Sequence, residues 1–290
     1  MKKALGSDIG TRSTGWAFVK TNASGNPETA VQLLSNKLLK DFEKKTKTSV
    51  KNCFQKLTEK DFTIQDFKNY MIAGAVASSQ IEGGRLDLNS FYQSKANNTN
   101  KKEVKKIEDL LKAYQYAKRY NLSQKGLLKC HEILAASFKN IVKSQKGKYR
   151  KTQVSIRSWQ GLVYLAIEPE NVPGAMDKLF ADIETLASRH LSLKQTLYYA
   201  AYIHFMFAKI HPFADGNGRA ARLLEKWFLV ESLDAAVWGI PTEKYYYDNR
   251  QAYYTGLNVG VNYYETLERL DKVLPFLALL PQAVCYKPID

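Results

Sequence analysis

The residues with the greatest chemical content lie in one stretch of twelve, "HPFADGNGRAAR", residues 211–222. It sets a histidine, a carboxylate, two glycines flanking an asparagine, and two arginines between two apolar runs. A residue before proline is pushed out of the right-handed helical region, so a helix ending at Ile210 should present His211 at its exit. "ADGNG" supplies residues that accept tight turns, and glycines let backbone approach a ligand closely. A second helix then begins, and its first N–H groups, without intrahelical partners, point back at the loop as an anion site. Gly216, Asn217 and Gly218 form that cradle. Arg219 and Arg222, three apart, lie on one face of the first turn. Two cations at the positive end of a helix are unfavourable unless an anion joins them, so the spacing predicts a polyphosphate ligand. Asp215 suits a Mg²⁺ that completes its shell with phosphate and water, and His211 is the candidate base. A bare G-x-G would argue only for a turn. Here base, carboxylate, anion loop and two arginines coincide. The other histidines read differently: His131 and His204 fall inside helical patterns as packed residues, and His190 on the surface.

The elements that must position this loop follow from hydrophobic periodicity. "SLKQTLYYAAYIHFMFAKI" is apolar nearly all round and should be the buried central helix; "GRAARLLEKWFLVES" follows the loop. Upstream, "TIQDFKNYMIAGAVASSQIEGG" opens on a candidate N-cap, Thr63, carries Phe67, Met71, Ala75 and Ser78 down one face, and stops at Gly83 and Gly84. Glu82 in its last turn faces the negative end of the helix dipole and therefore asks for a cation. "KKEVKKIEDLLKAYQYAKRY", "SQKGLLKCHEILAASF" and "ENVPGAMDKLFADIETLASRH" read as further amphipathic helices. "GKYRKTQVSIRSWQGLVYLAIEP" breaks that period: Thr152, Val154 and Ile156 alternate with polar residues and predict a β-hairpin between helices. Residues 1–40 hold two apolar runs around the turn-rich "NASGNPE" and predict an N-terminal β-hairpin. Its "DIGTRSTGW" is similar to the first carboxylate-bearing strand of RNase H-like nucleases and to the phosphate loop of actin-like ATPases, but the chain lacks the further strands and acidic residues those folds need.

Composition bounds the rest. The chain has 290 residues, 45% hydrophobic and 24% charged, which is ordinary globular usage with one main core expected. Its net charge of +15 favours anionic partners. The lysines concentrate in "LLKDFEKKTKTSVK" and "SKANNTNKKEVKK", which read as solvated, mobile connectors. No basic motif is interleaved with aromatics, so nucleic acid is not an expected partner. Cys53, Cys130 and Cys285 are scattered, odd in number and lack metal-ligand spacing, and "MKKALGSDIG" lacks the apolar segment of a signal peptide. A reducing, cytoplasmic compartment is expected. No run is apolar and long enough to cross a bilayer.

His211, Phe213, Asp215, Gly216, Asn217, Gly218, Arg219 and Arg222 occupy every fixed position of H-x-F-x-[DE]-G-N-G-R-x-x-R, so the chain resembles the Fic family. The likeness runs from about residue 65 to 260 and includes "GKYR" (Gly147, Tyr149, Arg150) before the hairpin that the family calls the flap. It implies a mainly α Fic fold: a helical bundle around a central helix-loop-helix, with the flap, and with the N-terminal hairpin outside it. It implies protein adenylyl transfer, with ATP and Mg²⁺. His211 would be the base for a Ser, Thr or Tyr hydroxyl of a protein target, the enzyme itself included. Asp215 would hold Mg²⁺; Asn217 and the Gly216 and Gly218 backbone would hold the α-phosphate; Arg219 and Arg222 the β- and γ-phosphates; Phe213 would anchor the loop. Val154 and Ile156 are candidate flap positions for strand addition to the target, and Tyr253 and Tyr254 match an aromatic pair beside adenine. "SSQIEG" (Ser78, Glu82, Gly83) resembles the family's inhibitory [ST]-x-x-x-E-[GN] motif, which implies that Glu82 pairs with Arg222 and restrains the enzyme. The organisation expected is a hairpin segment 1–40, a helical region 41–125 with an inhibitory helix 63–82, a catalytic core 126–265 and a helical tail 266–290. A homodimer is compatible with it. The alternatives are removal of AMP, transfer of another phosphate-containing group on the same fold, or a basic nucleic-acid-binding regulator with a vestigial core.

Overall fold

The computed structural model describes residues 33–158 and 161–288. The chain is built from α1 (Leu39–Lys45), α2 (Ser49–Thr58), α3 (Ile64–Ile81), α4 (Leu88–Ala96), α5 (Lys101–Arg119) and α6 (Gln124–Leu134). An antiparallel pair follows, β1 (Ser155–Ser158) and β2 (Gly161–Leu165). Then come α7 (Val172–Ala187), α8 (Leu193–Ile210), α9 (Asn217–Ser232), α10 (Thr242–Asp248), α11 (Arg250–Leu257), α12 (Tyr263–Glu268), α13 (Leu274–Leu277) and α14 (Leu279–Val284). The described residues are mainly helical with one small hairpin, where the sequence predicts the flap.

The centre is α8, and its burial follows from its composition: Leu197 through Phe207 lie within the core without a polar stripe. It starts at a capping box in which Ser192 and Gln195 exchange bonds and stops at Ile210, where His211 and Pro212 forbid another turn. It packs along α9, so the two helices form an antiparallel pair whose connection is the 211–216 loop. α3 starts at the expected cap, Thr63, whose hydroxyl accepts from Asp66 N at 3.1 Å, and runs against α5 and α10. Buried Glu243 ties these layers: it accepts from Lys226 Nζ at 2.6 Å and Tyr114 Oη at 2.9 Å.

Three expectations change. The lysine-rich stretch read as a mobile connector is largely α1 and α2. Phe42, Thr46 and Val50, four apart, bury one stripe while the lysines stay in water. The second such stretch holds the end of α4 and the start of α5. The N-terminal hairpin lies mostly outside the described residues, but its last part is no strand: Leu33 and Leu34 donate backbone N–H to Asp182 Oδ2 at 2.7 and 2.9 Å, and α1 begins at Leu39. One buried carboxylate of α7 takes both N–H groups, so neither can enter a strand ladder. Finally, Cys53 and Cys285 form a disulfide with Cα atoms 5.4 Å apart, joining α2 to the end of α14. Their 232-residue separation hid the pairing, and the cysteine count no longer argues for a reducing compartment. Among the described residues no helix is long and apolar enough to cross a membrane.

Candidate active site

His211 leaves the right-handed region as expected, but into the left-handed one, with φ 53° and ψ 58°. A non-glycine residue there is strained by about 1–3 kcal/mol and must be held in place. Arg150 holds it. Buried to 4% exposure, this guanidinium donates from Nε to the His211 carbonyl at 2.8 Å, and also to the carbonyls of Thr152, Ile167 and Ile210. It satisfies the orphan acceptors at the end of α8 and supplies the cation that a helix C-terminus favours. The His211 ring donates Nδ1–H to the Ala208 carbonyl at 3.2 Å, which leaves Nε2 as the acceptor. Burial, aided by the charge of Arg150, pushes its pKa below 6.5 and outweighs the pull of the Ala208 carbonyl, Glu82 and Asp215. The ring is therefore neutral at pH 7, the state a base requires.

The loop beyond is locked from within. The Asn217 carboxamide accepts from Phe213 N and donates to Phe213 O, both at 2.8 Å. Its side chain thus braces the loop through one donated and one accepted bond, and its backbone N–H lies in the first turn of α9. Gly216 sits at φ 84° and begins α9; a methyl group there would press on Leu134 and Phe138. Asp215 is half-buried. Its Oδ2 accepts from Asn140 Nδ2 at 2.7 Å and its Oδ1 from Gly216 N at 2.6 Å, which aims the carboxylate.

His131 is a residue whose part here sequence reasoning missed. It is fully buried, as expected for a packed histidine, yet it holds the loop. Nε2–H donates to the Asp215 carbonyl at 2.9 Å, Nδ1 accepts from Gly147 N at 3.0 Å, and the ring stacks on Phe213 with centroids 3.6 Å apart. Burial pushes its pKa down to about 4, so both contacts are made by the neutral ring. Phe213, fully buried, is the loop's anchor. The signal available in sequence was "GKYR", which supplies Gly147 and Arg150; nothing in the spacing marked His131 or Asn140.

The arginines separate. Arg222, 1% exposed, donates from Nε to Ser78 Oγ at 2.9 Å, from Nη2 to Ser78 O at 3.1 Å and Glu82 Oε1 at 2.8 Å, and from Nη1 to Tyr253 Oη at 3.1 Å. Glu82 caps the C-terminus of α3, and Gly83 follows it in a positive-φ turn. Burial opposes its charge, but Arg222 and Arg219 together hold its carboxyl below the usual carboxylate range. That carboxylate lies on the first turn of α9: a methyl group on Gly218 would collide with Glu82 Oε1. The C-terminus of one helix thus delivers an anion to the N-terminus of another. Arg219 lies over the Phe138 ring, 5.1 Å from its centroid, and its buried Nε has no hydrogen-bond partner among the described residues. An unpaired guanidine N–H beside an anion cradle fits a polyanionic ligand. Asp215 is the loop's carboxylate, and among the described residues no cluster of three or more His, Cys, Asp or Glu could hold a metal by itself. This donor set fits a Mg²⁺ shared with phosphates rather than a caged one.

The two tyrosines also separate. Tyr253 is 2% exposed and its hydroxyl is committed to Arg222 and His204, so it cannot stack on a base. Tyr254 is half exposed, bonds the Ile81 carbonyl at 2.7 Å, and lines a cavity of about 590 Å³ with Gln80, Tyr247, Arg250 and Gln251. In the hairpin, strand pairing begins at Ser155, so Thr152 and Val154 precede it and Ile156 lies within it, 41% exposed. Leu165 N donates to the Val261 carbonyl at 2.8 Å, which covers the last residue on the outer edge of β2. The edge of β1 is open among the described residues.

Residues 121–229 match the family model described as Fic/DOC family. Protein adenylyltransferase Fic of Nematostella vectensis is 32% identical over 114 residues, 39% of this chain and 23% of that protein. Protein adenylyltransferase Fic of Drosophila persimilis is 36% identical over 87 residues, 30% of this chain and 15% of that protein. The chain thus spans less than a quarter of the length of these curated relatives. Among solved structures, a Fic family protein from Desulfovibrio desulfuricans G20 superposes with a TM-score of 0.66 at 21% identity, over 86% of this chain and 72% of that one. A Fic domain containing signaling protein from Bacteroides thetaiotaomicron VPI-5482 gives 0.66 at 18% identity, over 82% and 93%. At such identities the structural likeness is one of fold.

Proposed function

We propose that this chain, whose residues 121–229 match the Fic/DOC family model, transfers AMP from ATP to a hydroxyl of a protein target and is restrained by its own Glu82. The observation that carries this reading is the Glu82 carboxylate resting on the first turn of α9 and bonded to Arg222, beside an Arg219 Nε that lacks a partner among the described residues. The cradle suits a polyanion and holds a carboxylate in its place. While Glu82 is seated, it occupies the donor of Arg222 that faces the cradle, where a γ-phosphate would sit.

With Glu82 displaced, Arg219 and Arg222 would grip the β- and γ-phosphates, and the backbone N–H groups at the start of α9 would receive the α-phosphate. His211 Nε2, exposed to the loop by the Nδ1 bond to Ala208, takes the proton from the target hydroxyl. The hydroxyl oxygen forms a bond to the α-phosphorus as the bond to the β-phosphate oxygen breaks, and pyrophosphate departs. Asp215 would hold Mg²⁺, which neutralises phosphate charge when bound. Tyr254 and the cavity beside it, with Arg250 and Gln251, form the candidate site for the base; this replaces the Tyr253–Tyr254 pair. The free edge of β1, with Ile156 exposed, would take an extended target segment by strand addition.

Intact-mass spectrometry of Glu82→Gly after incubation with ATP, Mg²⁺ and candidate targets tests the reading. An AMP adduct on the enzyme or a target is expected. An added phosphate or phosphocholine, or loss of AMP from a pre-modified target with no addition, would assign the fold another reaction.

A further inference from the structure

Arg222 is also held from behind, by groups that no step above uses. Its Nη1 donates to Tyr253 Oη at 3.1 Å, Tyr253 lies 3.0 Å from His204 Nε2, and His204 Nδ1 lies 2.8 Å from Glu225 Oε2. Tyr246 Oη donates to that same carboxylate oxygen at 2.9 Å. The order of donors is fixed from its ends. A guanidinium can only donate and a carboxylate only accept, so His204 carries a proton on Nδ1, and with the singly protonated ring Tyr253 donates to Nε2. The line starts on α9, crosses α8 and α11 and returns to α9; His204 and Glu225 are fully buried and Tyr253 is 2% exposed. Arg222 therefore has two sets of partners. Ser78 and Glu82 belong to the C-terminal end of α3, whereas His204 and Glu225 belong to α8 and α9, the helices that carry the loop, and Tyr253 to α11 beside them.

We infer that Tyr253, His204 and Glu225 are positioning residues that keep Arg222 aimed at the nucleotide once Glu82 has left it. The inference rests on the transfer reading for the ligand's identity and deepens it. When Glu82 leaves, Arg222 loses one bond, and Nη1 stays fixed by a chain whose members have little room to turn. Without Tyr253 as well, Arg222 would keep only its two bonds to Ser78 on the side of α3, and its loosened aim would lower affinity for the triphosphate more than the rate of transfer. Tyr253 acts through Arg222 and does not touch the base.

The test compares Glu82→Gly with Glu82→Gly/Tyr253→Phe and Glu82→Gly/Glu225→Gln. The control is Glu82→Gly/Tyr245→Phe, which removes a partly buried tyrosine bond to Gln282 at 2.9 Å elsewhere in the fold. ATP binding in the presence of Mg²⁺ is measured by calorimetry, and labelling kinetics in parallel. Tyr253→Phe should weaken ATP binding about tenfold, raise KM to match and leave kcat within about twofold; Glu225→Gln should move KM the same way by less. Tyr245→Phe should leave both constants as in Glu82→Gly. Unchanged ATP affinity in Tyr253→Phe, a loss of kcat alone, or an equal effect from Tyr245→Phe would overturn the inference. Tight ATP binding by Glu82→Gly without label transfer would count against the transfer reading alone; no ATP binding by Glu82→Gly would overturn both.

Discussion

Acidification should attack the loop through His131. In the folded protein this ring is neutral, donates to the Asp215 carbonyl and accepts from Gly147 N, and burial holds its pKa at about 4 against 6.5 when unfolded. Between those values the unfolded chain binds a proton that the native chain refuses. Stability is therefore fully present above pH 6.5 and is lost as pH falls towards 4. A difference of about 2.5 units is worth about 3 kcal/mol. Every other titrating group contributes as well, so the comparison is with His131→Gln, whose amide can donate to Asp215 without titrating. Urea unfolding followed by tryptophan fluorescence at pH 6.5, 5 and 4 gives the free energies. Wild type should lose about 3 kcal/mol more than His131→Gln over that range. Parallel losses would refute the assignment of His131 as the neutral tie behind Asp215.

His211 gives a second pH dependence, of activity. Its pKa is held below 6.5 by burial and Arg150, so the acid limb of kcat/KM for Glu82→Gly should have its half-maximum below pH 6.5; a half-maximum at pH 7 or higher would contradict the neutral base. The Cys53–Cys285 disulfide closes a loop of 232 residues, and removing it should cost about 2–4 kcal/mol. Cys53→Ser should unfold at lower urea than oxidised wild type, and reductant should bring wild type to the variant's midpoint without moving the variant. Coincident midpoints before reduction would show that the bridge carries no stability.

The parts legible in sequence were those set by local rules. Thr63 is an N-cap because of Asp66, α8 stops at Ile210 because of His211 and Pro212, and the 211–222 loop states its chemistry within one turn of helix. Glu82 announced that it wanted a cation because a carboxylate at a helix C-terminus needs one, and the family motif named Arg222. What stayed hidden was set by packing between distant elements. His131 looked like any core histidine, because its role depends on Gly147 and Asp215 arriving from two other segments. Tyr253 and Tyr254 looked like a pair, but adjacent helical residues point in directions about 100° apart, so one enters the core and the other faces the cavity. The lysines of α1 and α2 masked the buried stripe through Phe42 and Val50.

The central claim is that a neutral His211 transfers AMP on a cradle that Glu82 blocks. Incubation of wild type, Glu82→Gly and Glu82→Gly/His211→Ala with α-labelled ATP and Mg²⁺ tests it most directly. Displacing one charge-assisted bond of about 1.5–3 kcal/mol should raise labelling in Glu82→Gly by roughly ten- to a hundredfold over wild type, and His211→Ala should abolish it. Equal labelling of wild type and Glu82→Gly, or labelling that survives the loss of His211, would contradict the account.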